Sequence, residues 1–271
     1  MSAAALASAA ASAASASQLG DPAHWVVAMF LYLTVVDANR RRAAGSRLRG
    51  TLLYEVVCLT VMGFGGGILN PILLQHDAFF PFPMASDVVL PTILAAYLFT
   101  GLVGAARLEA PGVRHLRLVA FELVRAKLIS GWCVKAAQII PGSYFPQMPV
   151  FGVLVAGAVG GCGGLFLMSG GLSPVQESVP WPVESAIAAS VVHFLVANAF
   201  VALPPGAAAA LDGAGVNHAH LCVAGVLVVT RLVPAVRAAL PWRLVPFPGG
   251  EVAAPPLPPR TEAKKASKKK D

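Results

Sequence analysis

The amino-acid sequence predicts an all-α membrane protein with seven transmembrane helices. The 271-residue chain is 56% hydrophobic and only 12% charged, and its mean hydropathy is +0.70. Soluble domains carry about 25% charged residues, which cover the surface that faces water. A lipid bilayer removes that requirement, so runs of about 20 apolar residues favour transmembrane helices over the core helices of a soluble protein.

Seven apolar segments follow one another along the chain. Proline, glycine or charged residues separate them, and such residues interrupt helices. The predicted spans are 23–39, 51–75, 87–106, 116–139, 149–169, 182–203 and 216–236. They form one predicted membrane domain over 21–240. An Ala/Ser-rich leader at 1–20 precedes it and a Pro-rich, basic tail at 241–271 follows it, and we expect both to be disordered.

Lysine and arginine predict the orientation in the membrane. They are concentrated in the first and third connections and in the tail, whereas 76–86, 140–148 and 204–215 contain none. Because basic loops stay in the cytoplasm, the odd-numbered connections and the C-terminus are expected there, with the N-terminus on the opposite side. The net charge of +7 is thus explained by membrane topology, and no nucleic-acid partner is expected.

Two glycine-rich segments recur with an offset of 98 residues. They are Gly63-Phe64-Gly65-Gly66-Gly67 in span two and Gly161-Cys162-Gly163-Gly164 in span five. They divide the spans into two three-helix repeats at about 21–108 and 114–204, with an additional helix at 216–236. Because a three-helix unit starts on opposite sides of the membrane in its two copies, the repeats are predicted to be inverted, as in many transport proteins.

The repeated glycines are the first candidates for function: Gly65, Gly66, Gly67, Gly163 and Gly164. Each glycine weakens a helix by about 1 kcal/mol and permits a kink. We therefore predict that they form hinges beside a pathway near the bilayer midplane. The alternative is that they only allow helices to pack closely. Their matched positions in the two halves favour the hinge.

Charges inside the predicted spans are the second candidates, because a charge at bilayer depth costs about 2.5–3.5 kcal/mol. Span four contains Glu122, Arg125 and Lys127, of which Glu122 and Arg125 can pair on one helical face. We predict that Arg125 and Lys127 influence gating, line a pore or bind an anionic lipid headgroup. The alternative, which also applies to Glu55, is that these side chains extend to the membrane interface.

Sequence patterns typical of catalysis are absent from the chain. It contains no H-E-x-x-H, G-x-S-x-G or phosphate-binding-loop motif. Its four cysteines lie singly in apolar runs, without the spacing of metal ligands. We therefore expect no enzyme activity and no metal site.

Four sequence elements, in order along about 21–236, resemble the trimeric intracellular cation (TRIC) channel family. They are Asp21-Pro22-Ala23-His24-Trp25, Phe64-Gly65-Gly66-Gly67-Ile68-Leu69, Glu122-Leu123-Val124-Arg125 and Gly161-Cys162-Gly163-Gly164. The first element adds Asp21 and His24 to the candidate residues. The chain departs from the family pattern at Phe121, Leu128 and Gly160, where the family carries basic residues. A pore with fewer fixed positive charges is expected to conduct cations more readily.

The resemblance implies a homotrimer with one pore per subunit, each built from two inverted repeats and one further helix. It implies a potassium channel of the endoplasmic or sarcoplasmic reticulum membrane that balances charge during calcium release. It also implies an anionic phosphoinositide lipid near span four, and no other cofactor. The N-terminus would then be luminal, and the nuclear envelope is a second candidate location. The C-terminal Lys268-Lys269-Lys270-Asp271 resembles a dilysine retrieval signal, or alternatively attracts anionic lipid.

Two other functions fit the same features. One is a secondary transporter of a small solute, which inverted repeats also build. A transporter saturates with its substrate, whereas a channel gives unitary currents. The other is a non-conducting seven-span receptor or assembly factor, which has no need of matched glycine segments in its two halves.

Overall fold

The computed structural model describes residues 22–44, 51–75, 86–141, 149–168, 179–198, 206, 218–233 and 235–236. These residues contain eight α-helices and no strand. In chain order they are α1 (Pro22–Ala44), α2 (Leu52–Leu74), α3 (Val89–Val103), α4 (Ala105–Leu108), α5 (Pro111–Ile139), α6 (Val150–Met168), α7 (Trp181–Ala197) and α8 (His218–Leu232). The all-α prediction is confirmed, and each predicted span overlaps one of the longer helices, although α1 and α5 extend beyond their predicted bounds. The leader at 1–20 and the tail at 241–271 lie outside the described residues.

Capping and breaking residues set the helix ends. The Thr51 hydroxyl accepts a hydrogen bond from the Tyr54 amide at 3.4 Å, which caps the start of α2. Proline suits a first turn because its missing N–H has no helical partner there, and Pro111 begins α5. Gly104 has a φ of 77°, which ends α3 and separates it from the short α4. The third predicted span, 87–106, is therefore interrupted near its end.

The outer faces of the helices expose large apolar side chains. Leu53, Leu102 and Phe151 are exposed over 74, 85 and 81% of their surfaces, as expected for side chains that contact lipid. Helices α2 and α6 are long and apolar enough to cross a membrane, while α3, α7 and α8 are apolar but shorter. The number of membrane-spanning helices and the inversion of the repeats stay predictions.

Buried side chains form two hydrophobic clusters in the helical unit, by which we mean α1 to α8. One lies mainly in its first half, α1 to α4, and the other in its second half, α5 to α8. The first cluster lies mainly among α1, α2 and α3 and includes Leu33, Leu59 and Ile93. The second lies among α5 to α8 and includes Ile129 and Leu227. Helices α2 and α6 pack more extensively than any other pair of described helices. Their contact joins the two halves, and it places the two glycine segments together.

Candidate functional site

The two glycine segments meet where α2 crosses α6. Both helices continue without interruption through their glycines. A Cβ added to Gly65 would overlap the backbone of Gly164, and one added to Gly164 would overlap the carbonyl group of Met62. The helices therefore touch backbone to backbone, which any side chain would prevent. Close packing, the alternative considered for these glycines, is present in the structure, and a hinge at the same place stays a prediction.

The contact extends along one face of each helix. A Cβ on Gly66 would lie 2.5 Å from the carbonyl oxygen of Gly160, and one on Gly163 would lie 2.6 Å from the amide nitrogen of Gly66. One turn further along α2, the Asn70 side-chain amide donates a hydrogen bond to the carbonyl of Ala156 on α6 at 2.8 Å. We define the crossing as the contact of Gly65 and Gly66 with Gly160, Gly163 and Gly164. The Asn70 hydrogen bond holds the two helices together at one end of it.

Gly67 differs from its neighbours because of the proline that follows it. Gly67 is buried in α2, and Pro71 lies four residues later inside the same helix. Proline has no amide hydrogen, so the carbonyl of Gly67 lacks the donor that a helix normally supplies. The predicted hinge segment therefore contains a weakened turn directly after the crossing.

Arg125 is buried on α5, and its hydrogen bonds link that helix to α6 and α7. Its Nη1 donates to Glu122 Oε2 at 2.6 Å, and its Nε donates to the carbonyl of Gly161 on α6 at 3.0 Å. Its Nη2 donates to the Pro182 carbonyl at 2.9 Å and to Ser185 Oγ at 3.0 Å, both on α7. The side chain is only 2% exposed, so protein groups replace the water that an exposed guanidinium would have bound. The predicted pair of Glu122 and Arg125 is present.

A cavity of about 200 Å³ lies beside the crossing, and we call it the crossing cavity. Its walls come from both halves of the helical unit and include Tyr32, Gly66, Phe121, Arg125, Gly163 and Gly164. Four of the predicted residues are thus brought together: Gly66 from the first half, and Gly163, Gly164 and Arg125 from the second. The backbone of both glycine segments and the Arg125 side chain therefore share one small cavity.

The remaining predicted residues do not line the cavity, although Gly65 belongs to the crossing beside it. Lys127 is exposed on another face of α5. Glu122 is buried, and Arg231 Nε on α8 lies 3.9 Å from its second carboxylate oxygen. Asp21 lies outside the described residues, and only the helical backbone of His24 is described. Within the described residues, no cluster of three or more His, Cys, Asp and Glu side chains could hold a metal ion.

A second buried ion cluster joins the end of α1 to the start of α2. Arg41 Nε lies 2.8 Å from Asp37 Oδ2, and Arg40 pairs with both Asp37 and Glu55. Glu55 is only 4% exposed, so it pairs inside the protein and does not extend to the interface. Asp37 was missed by the sequence analysis, although it lies three and four residues before two arginines, a spacing typical of helical ion pairs.

Tyr32 was also missed, and no sequence signal pointed to it. Its hydroxyl donates a buried hydrogen bond to the carbonyl of Gly63 at 2.8 Å. Its ring stacks on Phe121 with 5.0 Å between centroids and 16° between planes. An aromatic residue inside an apolar run is usually a packing residue, and only the fold shows that this one faces a glycine segment.

Solved structures with similar folds are cation channels. A trimeric intracellular cation channel from C. elegans, in the absence of Ca²⁺, matches with a TM-score of 0.58 and 18% identity, over 87% of this chain and 97% of that chain. A structure of such a channel from C. elegans with bound Ca²⁺ matches with a TM-score of 0.54 and 20% identity, over 78% and 90%. A third structure, which concerns conductance through TRIC cation channels, matches with a TM-score of 0.54 and 16% identity, over 78% of this chain and 91% of that chain.

Sequence comparison adds nothing to this structural likeness. No protein-family model matches the chain, and no curated protein does. Identities of 16 to 20% are informative about fold rather than function. The all-helical unit built around the glycine crossing therefore has a fold like that of the trimeric intracellular cation channels.

Proposed function

We propose that this chain is a monovalent cation channel that conducts chiefly potassium, with one pore in each subunit of a homotrimer. The observation that carries the proposal is the crossing cavity, whose walls contain the backbone of both glycine segments. Backbone carbonyls replace the hydration shell of a cation, so conduction needs only a polar path and no covalent chemistry. The similar solved structures are themselves cation channels.

The balance of charge around the cavity supports cations over anions. Arg125 is the basic residue of the cavity wall, and its guanidinium lies 2.6 Å from the Glu122 carboxylate. Phe121, where the resembled family carries a basic residue, adds an aromatic face 5.7 Å from the same guanidinium. A cation in the cavity therefore meets an arginine whose charge is already paired, which repels it less than a lone arginine would.

The proposed location is the endoplasmic or sarcoplasmic reticulum membrane, with the nuclear envelope as a further site. Potassium flux across this membrane would supply counter-ions and so support calcium release. The basic connections and tail favour a cytoplasmic C-terminus and a luminal N-terminus. The exposed apolar side chains on the outer helix faces support contact with lipid.

An anionic phosphoinositide is a proposed lipid partner, with Lys127 as its basic contact. Lys127 is exposed on α5 and carries a compact charge on a flexible stem. Arg125 is a poor candidate for the same role, because each of its three nitrogens donates to protein oxygens in a buried network. Binding to lipid would first have to break those hydrogen bonds.

Single-channel recording of the purified full-length chain in planar bilayers, under a potassium gradient, tests the proposal. Discrete openings whose reversal potential follows the potassium gradient are the expected result. Saturable solute flux without unitary currents would favour a secondary transporter instead. Absence of both, from a preparation that light scattering shows to be trimeric and circular dichroism shows to be helical, would favour a non-conducting receptor or assembly factor. A monomer or dimer in the same measurement would contradict the homotrimer.

A further inference from the structure

The carbonyls of Gly63 and Gly161 occupy matched positions, since each belongs to the first glycine of its segment, 98 residues apart. Each accepts a hydrogen bond from a side chain on the first long helix of its own half. Tyr32 Oη on α1 donates to Gly63 at 2.8 Å, and Arg125 Nε on α5 donates to Gly161 at 3.0 Å. The same contact is therefore made in both halves by different chemistry, because Ser130 is the residue offset by 98 from Tyr32.

The two donors belong to one wall of the crossing cavity. Phe121 lies between them, with its ring 5.0 Å from the Tyr32 ring and 5.7 Å from the Arg125 guanidinium. All three side chains line the cavity. A displacement of Tyr32 would therefore shift the Phe121 ring and, through it, the Arg125 guanidinium. A displacement of Arg125 would act on Tyr32 in the same way.

The crossing beside the cavity is closed in this structure. The backbones of Gly65 and Gly164 lie so close that even one added methyl group would overlap, and a hydrated potassium ion is larger than a methyl group. The carbonyls of Gly63 and Gly161, which a dehydrated cation could use, are occupied by the two donors. These features belong to a non-conducting arrangement, and its opening requires the glycine segments to separate or rotate.

We propose that Tyr32 is a positioning residue for conduction, whose hydroxyl holds the glycine segment of α2 in the non-conducting arrangement. Arg125 holds the segment of α6 in the same way. This inference rests on the proposed channel function. The Tyr32 contact is one neutral hydrogen bond, whereas the Arg125 contact is one of four made by a buried charge. The segment of α2 is therefore the one that moves first.

Tyr32→Phe tests the proposal because it removes the hydroxyl and keeps the ring that stacks on Phe121. Loss of one hydrogen bond from the non-conducting arrangement should raise the ratio of open to closed times about fivefold. The unitary conductance should stay the same, because the cavity wall keeps its ring. Tyr97→Phe on α3 is the matched control. Its ring packs under Arg41 at 4.9 Å, outside the crossing cavity, and this variant should behave as wild type.

A Tyr32→Phe channel with the open-to-closed ratio of wild type would overturn the proposal. The proposal would also be overturned if Tyr97→Phe changed the open-to-closed ratio as much as Tyr32→Phe does. A purely structural role would instead lower the yield of trimer and leave the gating of the remaining channels unchanged.

Hydrogen–deuterium exchange in lipid nanodiscs provides a readout that needs no current. Amides of residues 63–67 should exchange about fivefold faster in Tyr32→Phe than in wild type or Tyr97→Phe, because the segment opens more often. A wild-type chain without current would contradict the proposed function, and exchange alone would then decide what Tyr32 does. Unchanged exchange in Tyr32→Phe would show that Tyr32 does not restrain the glycine segment of α2. Faster exchange would support that restraint.

Discussion

The two glycine segments touch each other at the crossing, yet they are held by different means. The segment of α2 is tied to α1 by the Tyr32 hydroxyl and to α6 by the Asn70 amide. Both ties are neutral hydrogen bonds. The segment of α6 is tied by Arg125, whose guanidinium also binds Glu122 and two groups at the start of α7. One half is held by separable contacts and the other by a connected network.

This difference gives the two halves different mechanical roles. Each neutral tie contributes about 0.5–1.5 kcal/mol, so thermal motion can break one without leaving a buried charge. The Arg125 network must stay complete, because a buried guanidinium or carboxylate that loses its partner costs several kcal/mol. Matched glycines therefore do not require matched motion. In the proposed gating, the half that contains α6 is the rigid scaffold, and α2 is the part that moves against it.

Arg125→Leu is expected to have the largest effect on stability. It removes four hydrogen bonds and leaves the Glu122 carboxylate buried with only Arg231, at 3.9 Å, as its remaining ion-pair neighbour among the described residues. Breaking one side of a buried ion pair costs about 3–5 kcal/mol. The measurement is the unfolding free energy in mixed micelles, titrated with dodecyl sulfate.

The double variant Glu122→Gln with Arg125→Leu separates the charge from the packing. Because it removes both charges, it should recover a large part of the stability that Arg125→Leu loses. Equal stability of the single and double variants would show that the α6 segment is held by packing alone. The contrast between the two halves would then disappear.

Gly164→Ala is expected to have the next largest effect. The added methyl would overlap the carbonyl of Met62 on α2, and backbone cannot move aside as the end of a side chain can. Overpacking of this kind costs about 1–3 kcal/mol. Gly225→Ala in α8 is the matched control. Its added Cβ has nothing within 4 Å, so it should be neutral or should stabilise the helix by up to about 1 kcal/mol. Equal effects of the two substitutions would contradict the backbone contact.

The sequence predicted the helices well because the signals for helices are local. Apolar runs separated by glycine, proline and charge gave seven segments, and each overlaps a longer helix. The ends of these helices are set by residues such as Thr51 and Pro111, and α5 begins five residues before its predicted segment. The pair of Glu122 and Arg125 was also predictable from its spacing of three residues. The break at Gly104 was not, because a single glycine does not reveal its φ.

The contacts between helices could not be predicted in the same way. Tyr32 and Gly63 are 31 residues apart, and Asn70 and Ala156 are 86 residues apart. No periodicity in the sequence connects such positions. The glycines allowed two interpretations, hinge or close packing. The backbone contact between α2 and α6 shows the close packing, and the hinge stays a prediction.

Asn70→Ala is expected to have the smallest effect and to be the sharpest test of how α2 is held. The substitution removes the hydrogen bond to Ala156, but it also removes a buried Oδ1 that has no hydrogen-bond partner among the described residues. The two effects oppose each other, so the loss of stability should be about 1 kcal/mol. Asn198→Ala is the control, because its side chain bonds only to its own helix at an exposed end.

The effect of Asn70→Ala on gating distinguishes two ways of holding α2. If both ties restrain the same movement, Asn70→Ala raises the ratio of open to closed times, and its effect adds to that of Tyr32→Phe on a logarithmic scale. If Asn70 stays bonded while the segment rotates, Asn70→Ala lowers stability and leaves the ratio unchanged. The first outcome means that α2 moves away from α6 as a whole. The second confines the movement to the turns between Gly63 and Asn70, where Pro71 has already weakened the helix.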